Sequence, residues 1–119
     1  MCGIAGIVEL AGDQPDLRVL HQMCGALAHR GPDDKGVDVH GAVGLVSTRL
    51  AVIDVADGHQ PYANEDGSIR AVFNGEIYNF RELRAELEAR GHCFASGADG
   101  EVIVHLWEED GPGALSRLD

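Results

Sequence analysis

Two runs of strand-forming residues, 36–40 and 42–54, meet with only Gly41 between them. Both carry β-branched and aliphatic residues, and such a pair suggests a hairpin. Neighbouring strands joined this way make an antiparallel sheet with helices packed on it the economical architecture. The flanking segments fit. Residues 3–10 are apolar and partly β-branched, and read as a buried strand, punctuated by Gly12-Asp13-Gln14-Pro15. Asp16 is placed to cap a helix whose apolar face is Leu20, Met23, Cys24 and Leu27. Gly31-Pro32 stops that helix near His29. A polar loop over 55–68, with a turn at Asn64-Glu65-Asp66-Gly67, leads to a strand from Ile69 to Phe73. Asn79 with Glu82 reads as an N-cap and its reciprocal acid. The helix it opens runs from Phe80 to Arg90, buries Leu83 and Leu87, and ends at Gly91. Residues 92–96 are assigned a short strand. Asp99 caps a last helix carrying Val102, Ile103, Leu106 and Trp107, which stops at Gly111-Pro112. The expected fold class is α/β of the α+β kind, in one domain over residues 1–119. The last residues, Leu115 to Asp119, carry no breaker or polar tail, so the domain reads as cut before its next core element.

Composition narrows the function classes. Net charge is −11, from 20 acidic and 9 basic residues, which argues against nucleic acid and anionic membrane surfaces as partners. No run approaches the ~18 apolar residues of a membrane helix, and the N-terminus has no secretory pattern. The three cysteines, Cys2, Cys24 and Cys93, have no framework spacing and read as reduced thiols of a cytoplasmic protein. Six histidines are scattered without metal-ligand spacing, so no metal site is expected.

Chemistry concentrates in a few short stretches. Cys2 follows Met1, and methionine aminopeptidases remove Met1 when residue two is small. The mature Cys2 would carry a thiol and a free α-amine together. The thiolate is a nucleophile, and an amine of pKa about 8 is a general base near neutral pH. That is the logic of N-terminal nucleophile hydrolases. Arg49, inside a run of strand formers, can hold a carboxylate with two parallel hydrogen bonds. Asn74 and Gly75, at a strand end, offer an amide and a backbone N–H, the composition of an oxyanion hole. Asp99, at a loop-helix junction, can bind an ammonium group. Each has an ordinary structural explanation: a strand-edge charge, a turn, a cap.

Together, the stretches Met1-Cys2-Gly3-Ile4, His29-Arg30-Gly31-Pro32-Asp33, Arg49-Leu50, Gly58-His59-Gln60-Pro61, Phe73-Asn74-Gly75-Glu76-Ile77-Tyr78-Asn79 and Gly97 to Val102 resemble the glutaminase domain of glutamine-hydrolysing asparagine synthetases. These are class II glutamine amidotransferases with an N-terminal nucleophile hydrolase fold. The resemblance spans the chain and implies roles. Cys2 would attack the glutamine carboxamide, its α-amine taking the thiol proton and passing it to departing ammonia. Asn74 and Gly75 would donate to the oxyanion. Arg49 would hold the α-carboxylate, with Leu50 in the binding set and Val52 and Ile53 lining the pocket through backbone. Glu76 and Asp99 would hold the α-amino group. Ser47-Thr48, Ala51 and Gly100 depart from the family pattern, none at a matched catalytic position.

The resemblance further implies that ammonia feeds a synthetase domain or subunit that amidates aspartate. ATP and Mg are expected only there, since the Ser-Gly-Gly motif of that domain is absent here. No cofactor is expected in this chain. Homo-oligomerisation is left open. A biosynthetic amidotransferase with another acceptor, or a non-catalytic truncated binding module, are the alternative readings.

Overall fold

The strand run that begins at 42 pairs on both sides as far as Arg49, and residues 51–54 of it lie outside the described residues. In the computed structural model, which describes residues 2–50 and 58–119, β3 (Val43–Arg49) is the central strand of a three-stranded antiparallel sheet. It lies between β1 (Gly3–Val8) and β2 (Asp34–His40), in the order β1-β3-β2. Gly41, with φ of +58°, makes the tight turn from β2 to β3, a conformation glycine adopts without steric cost. The register sets Gly3 opposite Thr48 and Asp34 opposite Arg49. The ends of β1 and β3 that carry the expected nucleophile and the expected carboxylate clamp therefore lie side by side.

Helix α1 (Leu17–Ala26) begins where the Asp16 carboxylate accepts from the Arg18 backbone N–H at 2.8 Å. Leu20 and Cys24 are buried against Val46 of β3, with Ala5, Ile7, Val37 and Val39 around them. Alternate residues of β1 face the other way, and Ile4 and Val8 are exposed.

The second half of the chain builds its own core. A two-residue pair, β4 (Tyr62–Ala63) and β5 (Arg70–Ala71), is antiparallel, and an Arg70–Asp38 ion pair of 3.4 Å ties it to β2. Helices α2 (Phe80–Ala89) and α3 (Val102–Asp110) pack through Leu83, Leu87, Val102 and Leu106, together with Ile77 and Ala114. Tyr62, Ala98 and Val104 form a neighbouring cluster. Phe73 packs against both. The molecule is thus an α+β fold of antiparallel sheets and helices.

Four local expectations change. Residues 92–96 are not a strand: the N–H groups of Cys93, Ala95 and Ser96 donate to the carboxylates of Glu65 and Glu101. The strand at 69–73 pairs only through Arg70 and Ala71, because side chains of Asn64 and Gln60 take the N–H groups of Ile69 and Phe73. Asn79 does not cap α2 through its side chain; its amide donates to the Arg117 carbonyl at 2.8 Å and accepts from the Asp119 N–H at 3.1 Å. Asp99 does not cap α3 but opens a 3₁₀ turn over Asp99–Glu101 that precedes it. α3 does stop at Gly111-Pro112, where Gly111 takes φ of +54°.

Candidate active site

Cys2 precedes β1 and is half-buried. Its thiol lies 4.0 Å from the Leu50 carbonyl, as the donor of a weak contact. Beside it Arg49 ends β3 with its side chain buried. The Arg30-Gly31-Pro32-Asp33 stretch forms the wall behind this strand end. The Asp33 N–H donates to the Arg49 carbonyl at 3.0 Å, and a Cβ at Gly31 would fall 2.5 Å from the Arg49 backbone. Glycine is required there by proximity. Ser47 and Thr48 support the same strand end: Ser47 Oγ donates to the Gln60 carbonyl at 3.3 Å, and Thr48 Oγ1 to the Leu27 carbonyl at 3.0 Å.

The opposite wall comes from the second half of the chain. Gln60 Nε2 donates to the Phe73 carbonyl at 3.0 Å, and Gln60 Oε1 accepts from the Phe73 N–H at 2.8 Å. One side-chain amide thus does for Phe73 what a paired strand would do, and fixes the backbone just before Asn74-Gly75. On the far side, the buried Asp99 carboxylate accepts from the N–H of Ile77 at 2.8 Å and of Gly100 at 2.9 Å. Asn74, Gly75 and Glu76 therefore sit in a loop held at both ends. A carboxylate has about four acceptor sites, so Asp99 keeps capacity for a ligand.

A single cleft is lined by Cys2, Arg49, Leu50, Gly75, Glu76 and Asp99, with Gln60, Tyr62, Phe73 and Ala98 completing it. Six sequence-expected residues thus share one cavity. Asn74 is exposed and stands beside the cleft, not in its lining. Val52 and Ile53 lie outside the described residues.

Nothing in the sequence marks Gln60 or Tyr62 by itself as a cleft residue. The signal available was slight: Gln60 falls in a family-like stretch, and Tyr62 follows it. Burial pushes the Tyr62 phenol up to about 12, and the negative Asp99 adds to this; Arg49 and a hydrogen bond with Gln60 oppose it, and Cys2 raises it further. Tyr62 is therefore a neutral phenol, close enough to sense Asp99, Arg49 and Cys2 electrostatically. Gly100 makes room for it, since a Cβ there would lie 2.6 Å from the Tyr62 ring and 3.0 Å from that of Phe73.

A family model described as a glutamine amidotransferase domain matches residues 1–119. The chain belongs to the glutamine amidotransferase domain family. It is 46% identical over 121 residues to "Asparagine synthetase [glutamine-hydrolyzing] 2" of Bacillus subtilis, an alignment covering 99% of this chain and 16% of that protein. It is 47% identical over 120 residues to "Asparagine synthetase [glutamine-hydrolyzing]" of Sandersonia aurantiaca, covering 100% of this chain and 22% of the relative. For "Asparagine synthetase [glutamine-hydrolyzing] 1" of Arabidopsis thaliana the identity is 45%, over 100% of this chain and 20% of the relative. The chain thus spans about a fifth of the length of these relatives. As a glutamine amidotransferase domain, it presents to its cleft one thiol, one buried guanidinium and two carboxylates, a set complementary to an amide-bearing zwitterion. No described helix is long and apolar enough to cross a membrane.

Proposed function

We propose that this amidotransferase domain hydrolyses the side-chain amide of L-glutamine to glutamate and ammonia. The observation that carries the reading is the convergence of Cys2, Arg49, Gly75, Glu76 and Asp99 on one cleft, from segments far apart in sequence. Arg49 holds the α-carboxylate by a charge-assisted contact, with Leu50 beside it in the cleft; Val52 and Ile53, outside the described residues, belong to the same binding set in this reading. Asp99 and Glu76 hold the α-ammonium. With Met1 removed, the α-amine of Cys2 takes the thiol proton as sulfur attacks the carboxamide carbon. The oxyanion is stabilised by the Asn74 amide and the Gly75 N–H. Its collapse expels ammonia, which carries off the proton held by the α-amine, and leaves a γ-glutamyl thioester. Water, deprotonated by the same amine, then cleaves the thioester to glutamate and restores the thiol.

In this reading residues 1–119 are the N-terminal portion of a glutaminase domain of the N-terminal nucleophile hydrolase type. The ammonia passes to an ATP-dependent synthetase domain or subunit that amidates aspartate, as the names of the relatives suggest. Three unpaired cysteines fit a cytoplasmic setting.

Mass spectrometry of the purified protein tests the reading. Loss of Met1 and a stable adduct on Cys2 with an electrophilic glutamine analogue are expected, with competition by glutamine. An adduct spread over Cys2, Cys24 and Cys93, or insensitive to glutamine, removes Cys2 from the nucleophile's role.

A further inference from the structure

The scattered histidines of the sequence give no metal-ligand spacing, yet folding collects two of them with two glutamates. Glu65 comes from the turn after β4, His92 from the segment after α2, and His105 and Glu108 from one face of α3, three residues apart. One ligand atom of each lies within 4.8 Å of all the others. His105 is fully buried, and among the described residues neither ring nitrogen has a hydrogen-bond partner. Buried polar atoms are ordinarily partnered, so this imidazole calls for an explanation. Its Nδ1 stands 3.3 Å from Glu65 Oε2. His92 Nδ1 stands 3.0 Å from the other oxygen, Oε1, of the same carboxylate.

Those distances have a specific meaning. Two donor atoms at zinc bond lengths of about 2.0–2.2 Å in a tetrahedron lie roughly 3.3 Å apart. Each Nδ1 stands at about that spacing from one oxygen of the Glu65 carboxylate. The outer nitrogens also face carboxylates. His92 Nε2 is 3.0 Å from Glu109 Oε1, and His105 Nε2 is 3.7 Å from Glu101 Oε1. The Glu109 carboxylate behind His92 Nε2 favours the proton there and turns the lone pair of Nδ1 inward, the usual support of a metal-binding histidine; Glu101 lies behind His105 Nε2 beyond hydrogen-bond reach. Glu65 Oε1 is steadied by the Cys93 N–H at 2.8 Å, and Glu108 Oε2 by Asn64 Nδ2 at 3.0 Å. Arg90 stands nearby, engaged with Glu109 and Glu86. A surface depression lined by Glu65, Asp66, His92, Glu108 and Glu109 leads in from solvent.

We propose that Glu65, His92, His105 and Glu108 form a binding site for a divalent transition-metal cation of the zinc class. Two imidazoles and two carboxylates suit such an ion better than calcium or magnesium, which favour oxygen alone. Two carboxylates balance its charge. With four protein ligands the site is closed, and its role is structural. It clasps the turn after β4, the segment after α2 and α3, joining the chain that carries Tyr62 to the helix that follows Asp99.

The test uses the purified protein, stripped with chelator and titrated with zinc chloride by calorimetry and with cobalt(II) by visible absorption. One equivalent per chain is expected, with a tetrahedral cobalt spectrum lacking a thiolate-to-metal band, and a rise in Tm on loading. His92→Gln and Glu108→Gln are expected to weaken binding more than Glu109→Gln, which acts behind His92 and should cost roughly 10–100-fold in affinity. Glu108 and Glu109 are exposed, so those variants report even if His92→Gln fails to fold. Absence of stoichiometric uptake would show that protons alone bridge the cluster and would overturn the site. So would a thiolate band abolished by Cys93→Ser or Cys2→Ser, or an affinity unchanged in both Glu108→Gln and His92→Gln.

Discussion

Asn74, beside the cleft, and Tyr62, in its lining, show how differently two residues announce themselves. Asn74 stands beside Gly75 in a stretch whose composition suggests donors, although the structure leaves it exposed next to the cleft. In the proposed reaction it serves the transition state, so Asn74→Ala should lower kcat by roughly 10²–10³-fold with a much smaller change in KM. A rise in KM alone would make it a binding residue. Tyr62 announces nothing in sequence, and its character comes from burial. Its phenol is raised from 10.0 to about 12, so the folded state holds the proton more tightly than the unfolded state does. That preference stabilises the fold fully below pH 10 and is lost as pH rises from 10 towards 12. Alkaline titration of phenolate absorbance should show one late component, absent in Tyr62→Phe, and that variant should lose less Tm between pH 10 and 12. A late component that survives in Tyr62→Phe would assign it elsewhere.

At the scale of elements, the hairpin of β2 and β3, the apolar face of α1 and the stop of α3 were legible because they rest on local pattern and on glycine. The failed strands share one cause. A polar side chain had taken the backbone group: Glu65 and Gln60 from far along the sequence, at Cys93 and Phe73, and Glu101 and Asn64 from five or six residues away, at 95–96 and Ile69. No periodicity records such side-chain substitutions. The same explains the site: Cys2, Arg49 and Asp99 were legible as chemical types, whereas the buttress of Gln60 required the fold. Gln60→Ala leaves both polar groups of Phe73 without their partner and should destabilise by about 1–3 kcal/mol per group left buried and unsatisfied. Gly31→Ala forces the Arg49 backbone to shift, at a cost of about 1–3 kcal/mol. Chemical denaturation measures both. Wild-type midpoints for the pair would remove these two walls from the account.

The whole molecule is two packed halves with the cleft at their meeting. The residue before β1 and the last residue of β3 supply Cys2 and Arg49, while the second half supplies Gly75, Glu76 and Asp99. Leu83 lies in the core between α2 and α3, and Ile69 flanks the Tyr62 cluster; each contacts a group that Phe73 also joins. Distant core changes ordinarily add, whereas residues coupled through a shared partner deviate by 0.5–3 kcal/mol in either sign, on the order of other measured couplings. A double-mutant cycle of Ile69→Val and Leu83→Ala should therefore be non-additive, and should become additive in a Phe73→Leu background. Additivity in the wild-type background would mean that the cores vary independently.

Phe73 is also the residue from which Asn74 and Gly75 extend. Its ring is in contact range of any Cβ placed at Gly75, and its backbone is clamped by Gln60. Inheritance is constrained accordingly. A change of volume in either core should be felt at the loop that borders the cleft, so a substitution in one core should be best tolerated when the other core has already changed to suit. The history of this domain should be written in paired replacements across Phe73, a form of epistasis in which the order of mutations matters more than their number.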